Sequence, residues 1–545
     1  MNLIKLTDQN VNCILDKLIV CYEKSAAYLG ELADRFPGVF AKVEFIIEAN
    51  HRYQVPVTVH GREFEVRGLE VLRELVGNNH IDNNHTTNNY AILITSDYFE
   101  EAFLKISNEL LLSGIETVAG DIYYFPNHET EIELSYREKY ADEPLQDIIV
   151  FRSGPHASSY VKGLDFADNA RALFEYMLAA GVNEKYELIW FVKNPKEFTE
   201  PEGRYYPFFV KNKNVSFISF DWSVSENSEE RDEYYRALCL AKWIFMTDAY
   251  GFARNCRKDQ VRVQLWHGCG FKTRTNFVPC EHRYEYNIVI GEAYRKIHAN
   301  IYGLREDQVL ITGYPKSDWL YHPVDRKKVE TMGICSAEGT DSSVRTIFWL
   351  PTFRVAQNNL SELNEKALST HTGMPLVDTV GDLVRLNGLL VKGNCKLIIK
   401  LHPFQNREAL SDTLENAELS NIILLGNEQL VEQDVQIGQL LAYADALISD
   451  YSSVAVEYML LDRPIAFTLD DASEYENSRG FVFDNLRDNL PGKELYTFED
   501  YLEYVGEIID NMDSTARKRH QLTDKFHLYK DDRSSERVVK ALGIS

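Results

Sequence analysis

The chain has 545 residues with 58 Lys plus Arg against 83 Asp plus Glu, and its net charge of −25 excludes a protein coated with a basic nucleic-acid-binding surface. Hydrophobic residues make up 45% of the chain, which is enough to bury several cores and excludes a disordered polyelectrolyte. No stretch approaches the roughly 20 consecutive apolar residues that cross a bilayer, and the amino terminus lacks the layout of a signal peptide. We therefore expect a soluble, cytoplasmic protein of several domains.

The cysteines and histidines form no metal-binding pattern. The eight cysteines are scattered, with no CxxC pair, and the chain contains no HExxH motif, so we expect reduced thiols. His60, His80 and His85 have no supporting frame of cysteines or carboxylates, so no metal site is expected there. Because an acidic surface repels anionic substrates, an anion-binding site would need cationic side chains gathered in a local pocket.

The first section, residues 1–145, alternates short β-branched or aromatic runs with longer amphipathic runs, which is typical of a parallel sheet covered by helices. No glycine-rich phosphate loop follows any of its strands. We expect a small Rossmann-like accessory unit with a structural or acceptor-guiding role, while the sequence leaves open that it binds a partner, recognises the polymer or carries a second transferase activity. The predicted elements are strands at Val43–Ile47 and Ala91–Thr95, a hairpin within Val55–Val66, a polar loop at Asn78–Asn89 and a helix from Tyr98 to about Leu112.

Two further α/β sections are predicted at residues 146–325 and 346–545, joined by a polar linker at residues 326–345. The spacing of their strands leaves room for crossover helices, so two Rossmann-like halves are expected to face one another. The strands predicted in the first half are Asp147–Phe151, Leu188–Val192, Val215–Ile218, Trp243–Met246, Val261–Leu265, Tyr286–Ile290 and Val309–Thr312, with helices at Asn169–Ala180 and Glu229–Leu240. Those predicted in the second half are Thr346–Leu350, Lys396–Leu401, Asn421–Leu425, Ala446–Ser449 and Pro464–Thr468.

Polar or cationic residues follow five of these strands. In open parallel sheets, ligands bind just beyond the carboxyl ends of the strands, where loops and helix N-termini converge. A single pocket between the two halves would explain why polar or cationic residues occur in all five segments. They are Trp266–Arg274, Gly313–Asp318, Pro351–Arg354, His402–Phe404 and Asp450–Ser453.

His267 is the candidate catalytic residue of the first of these segments. The flanking Gly268 and Gly270 allow the backbone to approach a ligand closely, while Lys272 and Arg274 supply positive charge. A neutral imidazole with a pKa near 6.5 can take a proton from an attacking hydroxyl at cellular pH. We therefore favour a catalytic role for His267 over a structural one.

His402 lies between an apolar strand and Pro403, which keeps it extended at a sheet edge. With Lys400 nearby, it could donate a hydrogen bond to a phosphate. A structural histidine with satisfied hydrogen bonds explains this segment equally well when it is taken alone.

The Asp450–Ser453 segment separates a strand from the helical run Val454–Leu461, so Ser452 or Ser453 is predicted at the helix N-cap. Unpaired backbone N–H groups at such a terminus bind phosphate well. An ordinary capped crossover helix explains the segment as well, and Asp450 could either be the cap or orient a ribose or a histidine.

Six motifs together carry a resemblance to a known family. The motifs WHGCGFK, TGYPKSD, LPTFR, LHP, ISDYSSVAVEYMLLDRPIAF and SRGFVFD resemble, in order and approximate spacing, those of the CDP-glycerol glycerophosphotransferase family. That family contains the teichoic acid primases and polymerases and related capsule polymerases. The resemblance covers about residues 146–540, and the first 145 residues have no counterpart in the shared motifs.

This resemblance implies a GT-B arrangement of two Rossmann-like domains, here preceded by the smaller α/β unit. It implies transfer of a polyol phosphate, glycerol phosphate first of all, from a CDP-activated donor to a hydroxyl of a teichoic acid or capsule polymer, with release of CMP. Neither a metal nor a cofactor is implied. A lipid-linked acceptor at the inner face of the membrane is also implied, although the charge of −25 means that any peripheral contact needs a local patch or a protein partner.

The resemblance also assigns roles by motif position. His267 resembles the catalytic base, and His402 resembles the residue that contacts the donor pyrophosphate. The family's first motif commonly reads WHGTPLK, so Cys269–Phe271 in this chain predicts a different acceptor-side surface. The remaining residues that the resemblance assigns to the donor side are Gly313, Tyr314, Pro315, Arg354, Asp450, Ser452 and Ser453. Gly268, Lys272 and Arg274 are expected to contact the acceptor or a phosphate on the residue chemistry given above, and not through the resemblance.

Two other functions fit parts of the pattern. A GT-B glycosyltransferase or sugar-nucleotide epimerase shares phosphate binding at helix termini but acts at an anomeric carbon, so its products would differ. A non-catalytic binding subunit could keep the fold, but the joint presence of His267, His402 and the Asp450–Ser453 segment argues against it.

Overall fold

The computed structural model divides the chain into two compact units, which are described separately. The first unit comprises Met1–Pro144, Asp221–Cys239 and Ala253–Lys258, and the second comprises Leu145–Phe220, Leu240–Phe252 and Asp259–Ser545. Two segments of the predicted second section therefore belong to the first unit. The structure describes residues 3–15, 17–22, 26–47, 56–67, 71, 90–95, 102–103, 106–107, 122–154, 163–248, 252, 256–273, 284–335, 344–351, 372, 374–401, 410–411, 414, 416–478 and 480–544.

The first unit contains a six-stranded parallel sheet in the order β1-β8-β7-β2-β3-β6, as a Rossmann-like unit requires. The predicted hairpin is confirmed, since β4 and β5 pair antiparallel. The predicted loop at Asn78–Asn89 lies outside the described residues, and of the predicted helix only residues 102–103 and 106–107 are described, all helical. The elements are β1 (Leu3–Lys5), β2 (Leu18–Tyr22), α1 (Ala26–Arg35), α2 (Pro37–Lys42), β3 (Val43–Ile47), β4 (Val57–Val59), β5 (Arg62–Phe64), β6 (Val66–Arg67), β7 (Tyr90–Ile94), β8 (Ile122–Tyr124) and α3 (His128–Lys139).

The amino-terminal lobe of the second unit is a seven-stranded parallel sheet in the order β11-β10-β9-β12-β13-β14-β15. All seven strands predicted for this part of the chain are confirmed. The elements are β9 (Gln146–Gly154), α4 (Asp168–Ala179), β10 (Glu187–Val192), α5 (Lys196–Thr199), α6 (Tyr206–Phe209), β11 (Val215–Ser219), α7 (Ser228–Leu240, most of it in the first unit), β12 (Ala241–Asp248), β13 (Val261–Gln264), β14 (Tyr286–Val289), α8 (Glu292–Tyr302) and β15 (Val309–Ile311).

The carboxy-terminal lobe is a six-stranded parallel sheet in the order β18-β17-β16-β19-β20-β21, which adds the unpredicted β21 to the five predicted strands. The elements are α9 (Arg326–Thr331), β16 (Arg345–Trp349), α10 (Val380–Lys392), β17 (Cys395–Ile399), β18 (Ile422–Leu424), α11 (Asn427–Gln433), α12 (Ile437–Leu441), β19 (Ala446–Ser449), α13 (Ser453–Tyr458), β20 (Ile465–Thr468), α14 (Ala472–Ser478), α15 (Leu486–Asn489), β21 (Lys493–Leu495), α16 (Phe498–Ile509), α17 (Ala516–Phe526) and α18 (Ser534–Ala541). Short 3-10 helices lie at Val11–Cys13, Val182–Glu184, Phe220–Val224, Glu306–Gln308, Pro315–Leu320 and Met459–Leu461.

The strands of both lobes are almost continuous apolar runs because helices cover both faces of a parallel sheet. In the amino-terminal lobe, the ring of Phe151 stacks between Trp190 and Phe245, with ring centroids 5.4 Å away on each side. Burying each side chain of this size stabilises the fold by roughly 1.5–3 kcal/mol. The cores therefore hold the strand ends, and the loops that follow them, in fixed positions.

Two parts of the predicted domain division differ from the structure. The polar stretch at residues 326–345 is not simply a linker, because α9 lies in it and buries Val329 completely. The last two helices, α17 and α18, return to the amino-terminal lobe, where Leu528 N donates to Ile290 O at 3.0 Å. The Asp318 carboxylate accepts hydrogen bonds from the backbone N–H groups of Ser534 and Ser535 at the start of α18. Composition revealed neither feature because both depend on contacts between distant parts of the chain.

Among the described residues, no helix has the length and apolar character that crossing a membrane requires. The seven described cysteines form no disulfide. In the same residues, no cluster of three or more His, Cys, Asp or Glu side chains is arranged to hold a metal ion.

Candidate active site

The carboxyl ends of the two sheets of the second unit border a common cavity of about 430 Å³. Strands from both lobes contribute to it, as the rule for open parallel sheets predicts. Its lining residues at or after strand ends are Ser153, Gly154, Thr247, Asp248 and His267 in the amino-terminal lobe, and Leu350, Pro351, Lys400, Leu401 and Ser452 in the carboxy-terminal lobe.

A second cavity of about 270 Å³ is also lined by His267. It is lined by Lys272 and Thr273 from the segment after β13, by one face of α8, and by Ser453 at the start of α13. Only two residues, Asp248 and His267, line both described cavities. His267 is an exposed residue shared by the two cavities.

Gln264, the last residue of β13, determines how the chain leaves the sheet. Its buried side-chain carbonyl accepts hydrogen bonds from Trp266 N at 2.9 Å and Asp248 N at 3.2 Å, and its amide donates to Asp248 O at 3.0 Å. Trp266 and Asp248 have positive φ angles of 53° and 63°, a conformation that costs a non-glycine residue roughly 1–3 kcal/mol. The indole of Trp266 packs against the imidazole of His267, with ring centroids 3.6 Å apart. The fold therefore maintains a strained turn at this strand end to present His267.

Asn169 and Lys316 donate hydrogen bonds to the backbone carbonyl groups of this turn. Asn169 Nδ2 donates to Trp266 O at 2.7 Å and to Leu265 O at 3.2 Å, while Asn169 Oδ1 accepts from Lys316 N at 3.1 Å. Lys316 Nζ donates to His267 O. The carbonyls of three successive residues thus bond to two side chains of the amino-terminal lobe.

Lys316 also joins the two lobes. Its ammonium lies 3.3 Å from Asp168 Oδ1 at the start of α4 and 3.1 Å from Glu457 Oε1 in α13. Burial alone would lower the pKa of Lys316, but the two carboxylates reverse this and raise it. Burial raises the pKa of Asp168, and it raises the pKa of Glu457 to about 7 against the opposing influence of Lys316.

Gly268 and Gly270 face the carboxy-terminal lobe. A Cβ on Gly268, whose φ is 153°, would clash with Ser453 Oγ and would lie 2.7 Å from Ser453 Cβ and 2.9 Å from Glu457 Oε1. A Cβ on Gly270 would lie 3.2 Å from the backbone of Ser453. The structure shows a close approach of these glycines to α13, and both also line the smaller cavity, so their predicted close approach to a ligand stays a prediction.

The Asp450–Ser453 segment lies where the strand-end rule places it, and Ser452 is the N-cap of α13, as predicted. Ser452 lines the larger cavity and Ser453 lines the smaller one. Asp450 is fully buried, and the buried Tyr451 donates its hydroxyl to Asp471 Oδ1 at 2.8 Å.

The structure does not bring the Gly313–Pro315 turn to either cavity, although the resemblance implied that it lines the donor cleft. Tyr314 is fully buried, with its hydroxyl 3.1 Å from Cys269 Sγ. Gly313 has a φ of 78° and faces Ser534 of α18. The residue after this turn, Lys316, makes the contacts with Asn169 and with the His267 carbonyl.

The other assigned residues divide into two groups. Lys272 lines the smaller cavity, and its contact with an acceptor or a phosphate stays a prediction. His402, Arg354 and Arg274 lie outside the described residues. The residues before His402 are described, and both Lys400 and Leu401 line the same cavity as His267.

Sequence reasoning missed Asp248 and the three-residue ionic cluster. Asp248 follows a predicted strand, so the strand-end rule that selected His267 would have found it as well. Lys316 stood within a quoted motif but received no role. Its partners Asp168 and Glu457 lie in helices distant in sequence, and no local pattern connects them.

Residues 148–543 match the protein family described as CDP-Glycerol:Poly(glycerophosphate) glycerophosphotransferase. The chain is 27% identical over 353 residues to the teichoic acid ribitol-phosphate polymerase TarK of Staphylococcus aureus, covering 59% of this chain and 61% of that protein. It is 26% identical over 316 residues to the teichoic acid glycerol-phosphate primase of Bacillus subtilis, covering 54% and 72%. The chain thus spans less than two thirds of the length of the TarK polymerase.

Among solved structures, the chain is similar to the wall teichoic acid polymerase TagF, with a TM-score of 0.55 and 20% identity, covering 82% of this chain and 97% of that one. TagF soaked with CDPG gives the same TM-score at 18% identity. At this identity the likeness concerns the fold alone, and it confirms the GT-B arrangement.

Proposed function

This chain belongs to the CDP-Glycerol:Poly(glycerophosphate) glycerophosphotransferase family, and we propose that it transfers a polyol phosphate from a CDP-activated donor to a hydroxyl of a cell-surface polymer. The observation that carries the proposal is the position of His267, which is exposed and lines both cavities. A base at this point can reach a donor on one side and an acceptor on the other.

The reaction at this point is a displacement at phosphorus. The acceptor hydroxyl oxygen forms a bond to the phosphorus that carries the polyol, and the bond from that phosphorus to the bridging oxygen of CMP breaks. His267 takes the hydroxyl proton, and CMP leaves with the electrons of the broken bond. Such transfers depend mainly on positioning and on stabilising negative charge, and these are the roles proposed for the chain's own residues.

The larger cavity is the proposed donor site, because its volume suits a nucleotide-sized ligand and both sheets contribute strand ends to it. Lys400 and Ser452 line it, and two of its acidic residues already have cationic partners: Asp168 pairs with Lys316 and Asp434 with Arg171. A dianionic pyrophosphate therefore meets less negative charge here than the net charge of the chain suggests. The roles of His402 and Arg354 on this side remain predictions.

The smaller cavity is the proposed site for the end of the acceptor. Lys272 would face a phosphate of the growing chain, and Ile297, Ile301 and Val482 give the cavity an apolar wall against which a polyol backbone can pack. In this proposal the acceptor hydroxyl lies beside His267.

Glycerol phosphate is the proposed group transferred, with ribitol phosphate as the direct rival, since the curated relatives include polymerases and primases of both kinds. We extend the proposal to a teichoic acid or capsule polymer that is lipid-linked, at the inner face of the membrane. Contact there would use a local patch or a partner, because the net charge of −25 opposes broad binding to anionic lipid.

The test is incubation of the purified chain with CDP-glycerol, CDP-ribitol or UDP-glucose and a short polyol-phosphate acceptor, with detection of released nucleotide and of new phosphodiesters. We expect CMP from a CDP-polyol and no UDP from UDP-glucose. His267→Ala should lower CMP release by about 10²- to 10⁴-fold. The matched control is His322→Ala, which removes an exposed histidine paired with Asp532 and should leave the rate unchanged. Release of UDP, or wild-type CMP release from His267→Ala, would contradict the proposal.

A further inference from the structure

Lys316 lies at the meeting point of three parts of the second unit. Its ammonium contacts Asp168 of α4, Glu457 of α13 and the carbonyl oxygen of His267. The Lys316 and Glu457 side chains are only 16% and 8% exposed, so these contacts form in a poorly solvated place where electrostatic attraction is strong. Lys316 reaches His267 through its main chain, and the imidazole stays accessible.

We propose that Lys316 is a positioning residue: held between a carboxylate from each lobe, it fixes the backbone of His267 and so places the imidazole for transfer only while the two lobes are together. This inference rests on the proposed function, since it assigns a role within the same site.

The dependence on both lobes follows from the two carboxylates. Asp168 belongs to the same lobe as Lys316, whereas Glu457 belongs to the other lobe. If the lobes separated, Lys316 would keep one partner and lose the other, and the packing of Gly268 against Ser453 and Glu457 would be lost in the same movement. The turn would then keep its hydrogen bonds to Gln264 and Asn169, but Lys316 would no longer be held by Glu457 and Gly268 would lose its packing against the other lobe, so His267 would be less firmly placed.

The cluster differs from an ordinary contact between lobes. Arg204 also reaches across the cleft, where its Nη1 donates to Val431 O at 2.6 Å, but it has no contact with the turn that carries His267 among its described hydrogen bonds. Arg171 makes a bidentate pair with Asp434, again distant in the chain from this turn. Of these three cations, Lys316 is the one bonded to the His267 backbone.

The protonation state of the cluster supports the same role. The charged or titratable groups that face Glu457 are Lys316, Asp168, Tyr314 and Cys269, of which Tyr314 and Cys269 remain neutral because burial raises both pKa values. A pKa of about 7 for Glu457 means that part of the population carries a second negative charge beside Lys316 at neutral pH. Lys316 is therefore the cation that offsets the repulsion between the carboxylates of Asp168 and Glu457.

The experiment compares Lys316→Met with Arg204→Met, since both substitutions remove one cation that donates to a backbone carbonyl. The first readout is hydrogen exchange of the backbone amides in residues 262–273. The intact chain is labelled without substrate, and exchange is measured by mass spectrometry of its peptides. The second is the kcat and donor KM for CMP release as functions of pH. Lys316→Arg serves as the conservative variant, and Glu457→Gln tests the contribution of the other lobe.

We expect Lys316→Met to raise amide exchange in this segment about tenfold or more and to lower kcat by about 10- to 100-fold, because a displacement of about 1 Å is enough for such a loss. Donor KM should stay within about threefold of wild type. The acid limb of the kcat/KM profile should move to higher pH, because loss of a nearby positive charge favours the protonated imidazole. Lys316→Arg should recover most of the kcat, and Arg204→Met should change none of these readouts by more than about twofold.

Unchanged exchange in folded Lys316→Met, or equal exchange in Arg204→Met, would overturn the positioning role whatever the substrate is. If Lys316→Met does not fold, the decision passes to Glu457→Gln, which must raise exchange in the same segment at pH 8, where most of the wild-type Glu457 is ionised. Failure of the proposed function is distinguished because it appears in the wild-type chain as no CMP from any CDP-polyol, while the exchange readout needs no substrate.

Discussion

Glu457 and Lys316 form an ion pair across the cleft of the second unit, with Oε1 and Nζ 3.1 Å apart. Glu457 belongs to the helix that follows the Asp450–Ser453 segment, and Lys316 belongs to the 3-10 helix after β15. Lys316 and Glu457 lie 141 residues apart in the chain, so the pair connects two separate motifs of the family.

The first prediction concerns stability and pH. The pKa of Glu457 is about 7 in the folded chain and 4.5 in a model peptide, so folding favours the protonated form. The stability that this group contributes is fully present below pH 4.5 and is lost as the pH rises through 7. Because of Glu457, the unfolding free energy of the wild-type chain should fall by about 2–3 kcal/mol between pH 5 and 8. Glu457→Gln should abolish this part of the pH dependence.

Denaturant unfolding at several pH values would measure this effect, with Glu432→Gln, at an exposed position, as the control. A wild-type curve with the same slope as Glu457→Gln over this range would contradict the prediction.

The second prediction concerns the close approach at Gly268. An alanine there would place its Cβ 2.7 Å from Ser453 Cβ and 2.9 Å from Glu457 Oε1, at a φ of 153°. We expect Gly268→Ala to destabilise the second unit by about 1–3 kcal/mol and to lower CMP release about tenfold or more. In the control Gly388→Ala, on α10, the added methyl meets no described atom within 4 Å and should be neutral or slightly stabilising. Thermal unfolding and CMP assays check both variants, and a fully active Gly268→Ala would exclude the steric argument.

The third prediction concerns the Gln264 side chain. Gln264→Ala removes three hydrogen bonds that hold Asp248 and Trp266 in strained conformations. We expect a loss of stability of about 1–3 kcal/mol together with reduced CMP release, because the turn that presents His267 would relax. Gln308→Ala is the control, since it removes a side chain bonded to the backbone of Arg305 and Glu285, which line neither cavity. If Gln264→Ala loses stability but keeps full CMP release, or if the control loses as much activity, the interpretation of Gln264 is wrong.

The fourth prediction concerns thiol reactivity. Burial raises the pKa of Cys269 to about 12, so very little thiolate is present at pH 8. We expect iodoacetamide to modify the exposed Cys13 readily and to leave Cys269 unmodified until the chain unfolds. Mass spectrometry of peptides after timed labelling measures both rates. Rapid native-state labelling of Cys269 would mean that the turn opens far more often than its packing suggests.

The sequence allowed the strands, and therefore the sheets, to be predicted well. Runs such as Leu188–Val192 are apolar on both faces because the sheets are covered by helices, and this signal is local in the chain. His267 and Ser452 were found because the strand-end rule needs only the position of a strand. The family prediction was confirmed because several short motifs occur together in register.

The remaining features depended on tertiary contacts. The return of α17 and α18 to the amino-terminal lobe and the burial of Val329 leave no signature in composition. Tyr314 stood in a motif that resembles a donor-binding turn, yet it is buried against Cys269, because a motif fixes which residues are present and not which of them faces the cavity. The link from Lys316 to Glu457 required two lobes to be placed together first.

The contact between Trp266 and His267 should make the fluorescence of Trp266 a reporter of the protonation of His267. The indole and imidazole centroids are 3.6 Å apart, and an imidazolium at this range quenches indole emission more strongly than a neutral ring does. The fluorescence of Trp266 should therefore brighten as His267 loses its proton. Comparing the emission of wild type and Trp266→Phe across the pH range would isolate that titration without a substrate or an added dye.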